Sequence, residues 1–321
     1  MEARVEQVEH QFHLPTVKLQ SILSLAVLAL AIHVLLPQVG ELHHSIRAIK
    51  RADPRWVPLA LVTTALTFVF ASVALRAASC RPLPFAKTTI AQLASSFANR
   101  LAPGSVGGLG VNERFLTRAG QMGNAQASTA LALNGVAGVI VHITFMILTA
   151  LAASGDTGTR LPHPRHWELA AGFALILFVA GVVWYVPRLR THIIPAIKDG
   201  WAELSELVKR PAEAATLFGG AAGITASYTV TFLICLAALH VHISLAQGAF
   251  VYLGGAVVSS VAPTPGGLGA MEAALVAGLT HVGVLDGKAV AAVLTFRLLT
   301  YWLPILPGYL SLRHLRRAHL L

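Results

Sequence analysis

Two acidic and two basic residues stand where an apolar chain has least use for them. Glu113 and Glu272 each lie three positions past a glycine-rich phrase written almost identically twice, "APGSVGGLGVNERFL" at Ala102–Leu116 and "APTPGGLGAMEAAL" at Ala262–Leu275. The last glycines of the two phrases, Gly110 and Gly269, are 159 positions apart. Arg100 precedes the first phrase and Arg297 follows the second, and both fall at membrane depth in the topology derived below. One such charge near a bilayer centre costs about 2.5–3.5 kcal/mol even on a lenient scale. Four of them would cost on the order of 10 kcal/mol, as much as a whole protein's net stability. They must pair, face water or do work.

The wording of the phrase suggests which chemistry. Pro103 and Pro263 end one half-helix, and Gly107, Gly108 and Gly110, matched by Gly266, Gly267 and Gly269, allow a tight turn with close backbone approach. A second half-helix then presents free N–H groups and a positive dipole end, a site suited to phosphate. Two readings of the glutamates stand side by side. In the first, each is an acid in the first turn that satisfies its own helix end. In the second, Glu113 and Glu272 pair with Arg100 and Arg297 around one polar cavity. A lipid phosphate would then take the arginines and half-helix amides, and any cationic moiety would take the glutamates. Asn112, Asn124 and Asn134 are candidates to line that cavity or to bridge helices.

Composition sets the scaffold for these residues. Of 321 residues, 55% are hydrophobic and 12% charged, against about 25% charged in soluble domains, and the mean hydropathy is +0.67. The expected fold is all-α and polytopic, a single integral membrane domain over 1–321. Spans of bilayer length are Leu19–Leu36, Trp56–Leu75, Ala125–Ala153, Leu169–Val186, Phe218–Leu239 and, interrupted by Pro304 and Pro307, Ala289–Leu312. Lys87–Met122 and Ser244–His281 are apolar but broken in the middle, which predicts hairpins of two half-helices that enter the membrane and return. Irregular backbone at that depth must be buried in protein or line a wet cavity.

Helix, hairpin and helix therefore occur twice, in repeat one (about 56–153) and repeat two (about 214–312), joined by a linking helix (about 168–187). An odd number of crossings between them makes the repeats inverted. Paired, broken apolar segments in corresponding halves point to a transporter site at the midplane. With the N-terminus in the cytoplasm, fifteen Lys and Arg fall inside and seven outside, as the positive-inside rule requires. The C-terminus is then cytoplasmic too. Glu41–Arg51 and Arg188–Arg210 are read as interfacial amphipathic stretches or solvated connectors, and the first apolar run as a retained helix.

Other classes find little support. The net charge of +10 sits in short runs between spans, where it orients helices, so no nucleic-acid partner is expected. No GxGxxG, Walker, HExxH or CxxC motif occurs, so no cofactor or metal is expected. His33 and His142 are read as packed or helix-linking, and Gly219 with Gly223 as a small-residue packing pair.

The residues also resemble a known family. "PTPGGLGAMEAAL" followed by "AVLTFRLLTYWLPILPGYLSL" is similar to the C-terminal signature of the lysylphosphatidylglycerol synthase transmembrane-region family, the flippase-like membrane domain of the multiple peptide resistance factor. Its pattern maps onto Pro263, Gly266, Gly267, Leu268, Gly269, Glu272, Arg297 and Tyr301, and so adds Tyr301 to the candidate site. The first half departs from it: Ala132–Gly138 reads "ALNGVAG" without the family's Arg, so Arg100 or Arg114 stands in. The resemblance implies movement of a lipid between leaflets. In multifunctional relatives an attached soluble domain makes an aminoacylated phosphatidylglycerol, and a chain ending at Leu321 is not expected to carry that domain.

These readings together predict a lipid flippase, or a transporter of lipid-linked intermediates, in a bacterial inner membrane. Its partner is a membrane lipid with an aminoacylated, anionic or polyprenyl-linked headgroup, and homo-oligomers are left open. The alternatives are a non-catalytic membrane partner of an envelope lipid-synthesis enzyme, or an intramembrane enzyme acting on lipid phosphates with Thr264 or Ser105 as the available hydroxyls.

Overall fold

The structure, a computed structural model, describes residues 53–101, 106–154, 209–262 and 264–321. The segments 19–36, 41–51 and 168–187, all but the last two residues of 188–210, and Pro103, Ser105 and Pro263 lie outside them. The described residues are helical, without a strand. In chain order they form α1 (Trp56–Ser79), α2 (Phe85–Leu101), α3 (Val106–Ala119), α4 (Asn124–Ser154), α5 (Pro211–Ala238), α6 (Leu245–Val261), α7 (Ala270–His281) and α8 (Asp286–Arg297). A five-residue π-helical segment, Leu298–Trp302, then leads into α9 (Ile305–Arg317).

Four of these stretches are long and apolar enough to cross a membrane: Trp56–Ser79, Asn124–Ala153, Pro211–Ala238 and the continuous run Asp286–Arg317. The broken segments resolve into α2 and α3, of 17 and 14 residues, and α6 and α7, of 17 and 12 residues. At 1.5 Å per residue, none of the four spans a hydrocarbon core of about 30 Å.

Local chemistry sets the ends. Ser244 and Gln247 form a reciprocal capping box that starts α6, with the Gln247 amide donating to Ser244 Oγ (3.2 Å) and the Ser244 amide to Gln247 Oε1 (3.1 Å). Helix α5 begins at Pro211, well before Phe218, because a proline at the helix start and Glu213 in the first turn favour initiation in sequence too polar to register as a span.

The most extensive packing is α1 against α5. Thr63, Thr64 and Thr67 on α1, and Thr225, Ser227, Thr229 and Thr231 on α5, are all buried. Most of these hydroxyls donate back to carbonyls of their own helix, as Thr64 does to Ala60 (2.8 Å) and Thr229 to Thr225 (2.7 Å). Thr231 also reaches across to Thr63 Oγ1 at 2.8 Å. A Cβ on Gly220 would lie 2.9 Å from the Ala74 Cα, and one on Gly223 would collide with the Phe70 ring. Small residues at such contacts let apolar helices approach without hydrophobic drive. The close pair is therefore Gly220 and Gly223, since Gly219 faces open space.

The remaining contacts come in matched sets. Helix α2 packs on α3 and α9, and α6 packs on α7 and α4. Phe232, Tyr252 and Phe296 form an aromatic cluster between α5, α6 and α8, with ring centroids 5.3–6.0 Å apart. His142 Nε2 donates to the Leu253 carbonyl (3.1 Å), the helix-linking role expected of it. The outer faces carry exposed Val62, Val139, Ile147, Leu148 and Leu151, a surface for which hydrocarbon is the solvent.

Candidate functional site

A cavity of about 380 Å³ lies where α1, α2, α5, α6 and α8 meet. Its wall is apolar and aromatic toward Phe68, Tyr228, Tyr252 and Phe296, and polar toward the ends of the two hairpins. Helix α2 supplies Ser95, Ser96, Asn99 and Arg100, spaced so that one helix face carries all four. Helix α6 and the turn after it supply Ser259, Ser260, Thr264, Gly266 and Gly267.

The second glycine phrase forms the turn that its composition predicts. Gly266, Gly267 and Gly269 have φ of +59°, +66° and +81°, values that side chains rarely adopt. Space is also short: a Cβ on Gly266 would sit 2.6 Å from the Tyr301 ring, and one on Gly267 would collide with the Ser259 hydroxyl. Glu272 follows in the first turn of α7, and both of its oxygens are used. Oε2 accepts from the Gly269 amide (2.7 Å) and Oε1 from Arg297 Nε (2.6 Å). These side chains are only 12% and 9% exposed. One carboxylate thus caps its helix and neutralises an arginine.

Arg297 further donates to the Gly266 carbonyl (3.4 Å), and its guanidinium lies 4.3 Å from the Tyr301 ring centroid. Arg100 approaches the same ring to 5.0 Å. Its donors go to the Ser96 carbonyl and hydroxyl and to the Thr300 carbonyl, the last at 3.0 Å. That carbonyl is free for a reason legible in the chain. Pro304 stands four residues later, has no N–H to give, and its ring excludes the carbonyl it would otherwise meet. The helix passes through a π-helical turn instead, with the Leu303 amide reaching back to the Leu298 carbonyl at 2.9 Å. Arg100 takes the oxygen so released, which ties the first hairpin to the break after α8.

The first phrase takes a different form. Gly107, Gly108 and Gly110 lie inside α3, which begins at Val106, so among the described residues they make no turn. Gly108 serves close helix packing: its amide donates to Asn99 Oδ1 (2.6 Å), and its carbonyl accepts from Ser95 Oγ (3.0 Å). Glu113 then falls in the second turn of α3 rather than the first. Its described partner is Ser128 Oγ, at 3.5 Å, and it is not among the residues lining the cavity. Asn112 reaches the rim indirectly, accepting from the cavity-lining Gln92 (3.3 Å). Arg114 is exposed, and neither it, Asn124 nor Asn134 lines the cavity. The structure thus brings together Arg100, Arg297, Glu272, Tyr301, Gly266, Gly267 and Gly269, and leaves Glu113, Gly107 and Gly110 apart.

Sequence reasoning missed the hydroxyl and amide half of the site. Ser95, Ser96, Asn99 and Arg100, an i, i+1, i+4, i+5 polar stripe in apolar sequence, carried a signal for it. Thr264 was singled out only as a hydroxyl for the enzyme alternative, and the Thr300 carbonyl left no signal apart from the position of Pro304.

Apolar spans surrounding a charged, hydroxyl-rich cavity define a polytopic helical membrane protein with a polar site inside its bundle. The sequence model of the lysylphosphatidylglycerol synthase TM region matches residues 21–308, and the chain belongs to that family. A comparison with curated proteins found no significant match.

Proposed function

We propose that the protein is a lipid flippase, or a transporter of lipid-linked intermediates, and not an enzyme. A polar headgroup passes through the cavity while its acyl tails remain in the surrounding lipid. One observation carries this reading: Arg100 and Arg297 meet over one tyrosine ring in a polar cavity, inside a bundle whose outer faces are apolar. Charged groups at membrane depth mark the path of a polar passenger, and membership of a lipid-related membrane family supports the same reading.

The matched contacts, α2 with α9 and α6 with α4 around the α1–α5 pair, are the pattern that two inverted repeats would give. In this reading each short hairpin enters and leaves on one face, the two from opposite faces. The membrane is the bacterial inner membrane and both termini are cytoplasmic. Cysteines placed at Gly123 and His240 should then label from the cytoplasmic and the outer face, respectively.

Reconstitution into vesicles containing acyl-labelled phospholipids tests the function directly. Transbilayer movement should exceed that of protein-free vesicles, and should fall in the neutral pair Glu272→Gln/Arg297→Gln, which leaves no lone charge. Movement no faster than in protein-free vesicles for every lipid tried would refute the proposal.

A further inference from the structure

The charge of the cavity says which headgroup it takes. Two guanidinium groups offer ten N–H donors, and five hydrogen bonds to described residues engage them. Among the described residues, Arg100 Nε is buried without an acceptor and Thr264 Oγ1 is buried without any partner. Thr264 is 6% exposed, and both residues line the cavity. Buried polar atoms in folded proteins nearly always find a partner, and here two from opposite hairpins are left without one in the same chamber. A ligand that accepts hydrogen bonds from a guanidinium and from a hydroxyl satisfies both.

Among the described residues, no Asp or Glu lines the cavity. Glu272, which adjoins the cavity through Arg297, has one oxygen on that arginine and the other on the Gly269 amide. With that pair neutral, Arg100 leaves the chamber one positive charge in excess. Among the described lining residues an ammonium group finds no free carboxylate, and the Tyr301 ring already faces both guanidinium groups. Tyr228 and Tyr252 are stacked on each other, 6.4 Å apart.

Resting on the flippase reading, we infer that the cavity selects a phosphate ester that is net anionic and carries no amine, and that Arg100 is the residue that sets this preference. Aminoacylation of such a headgroup adds positive charge with nothing to receive it, so the glutamates do not play the cation-binding part expected of them. A phosphate oxygen pair matches the planar donor fork of arginine. Ser96, Asn99 and Ser259 complete a ring of hydroxyl and amide groups around it.

The test uses the full chain in nanodiscs of equal parts phosphatidylglycerol, phosphatidylethanolamine and lysyl-phosphatidylglycerol, with bound lipid read by native mass spectrometry. Phosphatidylglycerol should be enriched about tenfold or more over the lysyl form, the scale that even one of the lysyl group's two ammonium charges sets in a partly desolvated site. Arg100→Gln should abolish the preference, and Arg100→Lys, which keeps the charge, should retain most of it; gel filtration confirms that each variant is folded. Equal retention of the three lipids by the wild type, or preference for either amine-bearing lipid, overturns the inference. Displacement of phosphatidylglycerol by millimolar inorganic phosphate would assign the site to a soluble phosphate and overturn the lipid assignment. Selective binding without transbilayer movement in vesicles leaves this inference standing and overturns the transport reading, whereas movement without selectivity does the reverse.

Discussion

Removing the Glu272 carboxylate should do more damage than its single helix cap explains. In the folded protein it accepts from Arg297 Nε at 2.6 Å and from the Gly269 amide at 2.7 Å, with both side chains of the ion pair nearly inaccessible. Deleting one partner of a buried pair costs about 3–5 kcal/mol, because the other is left uncompensated. Loss of a cap adds about 1 kcal/mol. Water in the adjoining cavity screens the orphaned arginine and favours the lower end, so Glu272→Ala should lose about 4 kcal/mol. That is a large share of a typical net stability of about 5–15 kcal/mol. Glu272→Gln separates the two roles, since its amide oxygen still accepts from Gly269 while the charge is gone. It should lose about 3 kcal/mol if charge neutralisation dominates, and under about 1 kcal/mol if capping does. The double variant Glu272→Ala/Arg297→Ala leaves no lone charge and should be more stable than Glu272→Ala alone, with a coupling of about 2 kcal/mol or more. Unfolding midpoints in detergent, with lipid content held constant, measure all of these. Additivity of the single losses to within about 0.5 kcal/mol would refute a charge-neutralising pair in a low-dielectric site.

Further outcomes follow from the same geometry. Pro304→Ala restores an amide that competes with Arg100 for the Thr300 carbonyl; stability should rise by about 1–3 kcal/mol, while anionic-lipid binding by native mass spectrometry falls. Gly266→Ala meets both a φ of +59° and the Tyr301 ring, and should lose about 2 kcal/mol in thermal unfolding, the left-handed backbone alone accounting for roughly 1–2 kcal/mol. Glu113→Gln disturbs a single 3.5 Å hydrogen bond, so its midpoint should move by no more than about 1 kcal/mol and its bound lipid should not change.

Much of this arrangement was legible in the chain, because the bilayer makes apolar length and misplaced charge loud signals. The four described spans begin or end within a few residues of their hydropathy limits, apart from the early start of α5 at Pro211. That the two glutamates should pair with the two arginines followed from the expense of leaving them alone, but not which with which: Glu272 meets Arg297, whereas the described partners of Glu113 and Arg100 are Ser128 and the Ser96 and Thr300 oxygens. The symmetric reading of the two glycine phrases did not carry over to the backbone. Pro265 takes the first inner position of a turn closed by the Gly267 amide on the Thr264 carbonyl (3.1 Å), a place its fixed φ suits, and left-handed glycines complete the turn. Val106 stands before Gly107 and starts a helix, in which Gly108 packs against Asn99 and Ser95. Identical glycine letters took different conformations because their neighbours differ. Arg100 was recognised as costly, but its partner was not, since a carbonyl released by a proline 204 positions away leaves no mark in local sequence.

The hydroxyl seam between α1 and α5 bears on how the two halves can move. Its threonines and serines are mostly satisfied within their own helices, and its close approaches are made by glycine against backbone and ring. Among the described residues, the Thr231–Thr63 bond crosses it within the buried seam, worth about 1 kcal/mol in a bilayer, and an exposed Cys80–Glu213 contact at 3.5 Å joins the end of α1 to the start of α5. Such a seam holds the helices close by shape rather than by bonds between them, so relative motion of α1 and α5, which the transport reading would require, would break little hydrogen bonding.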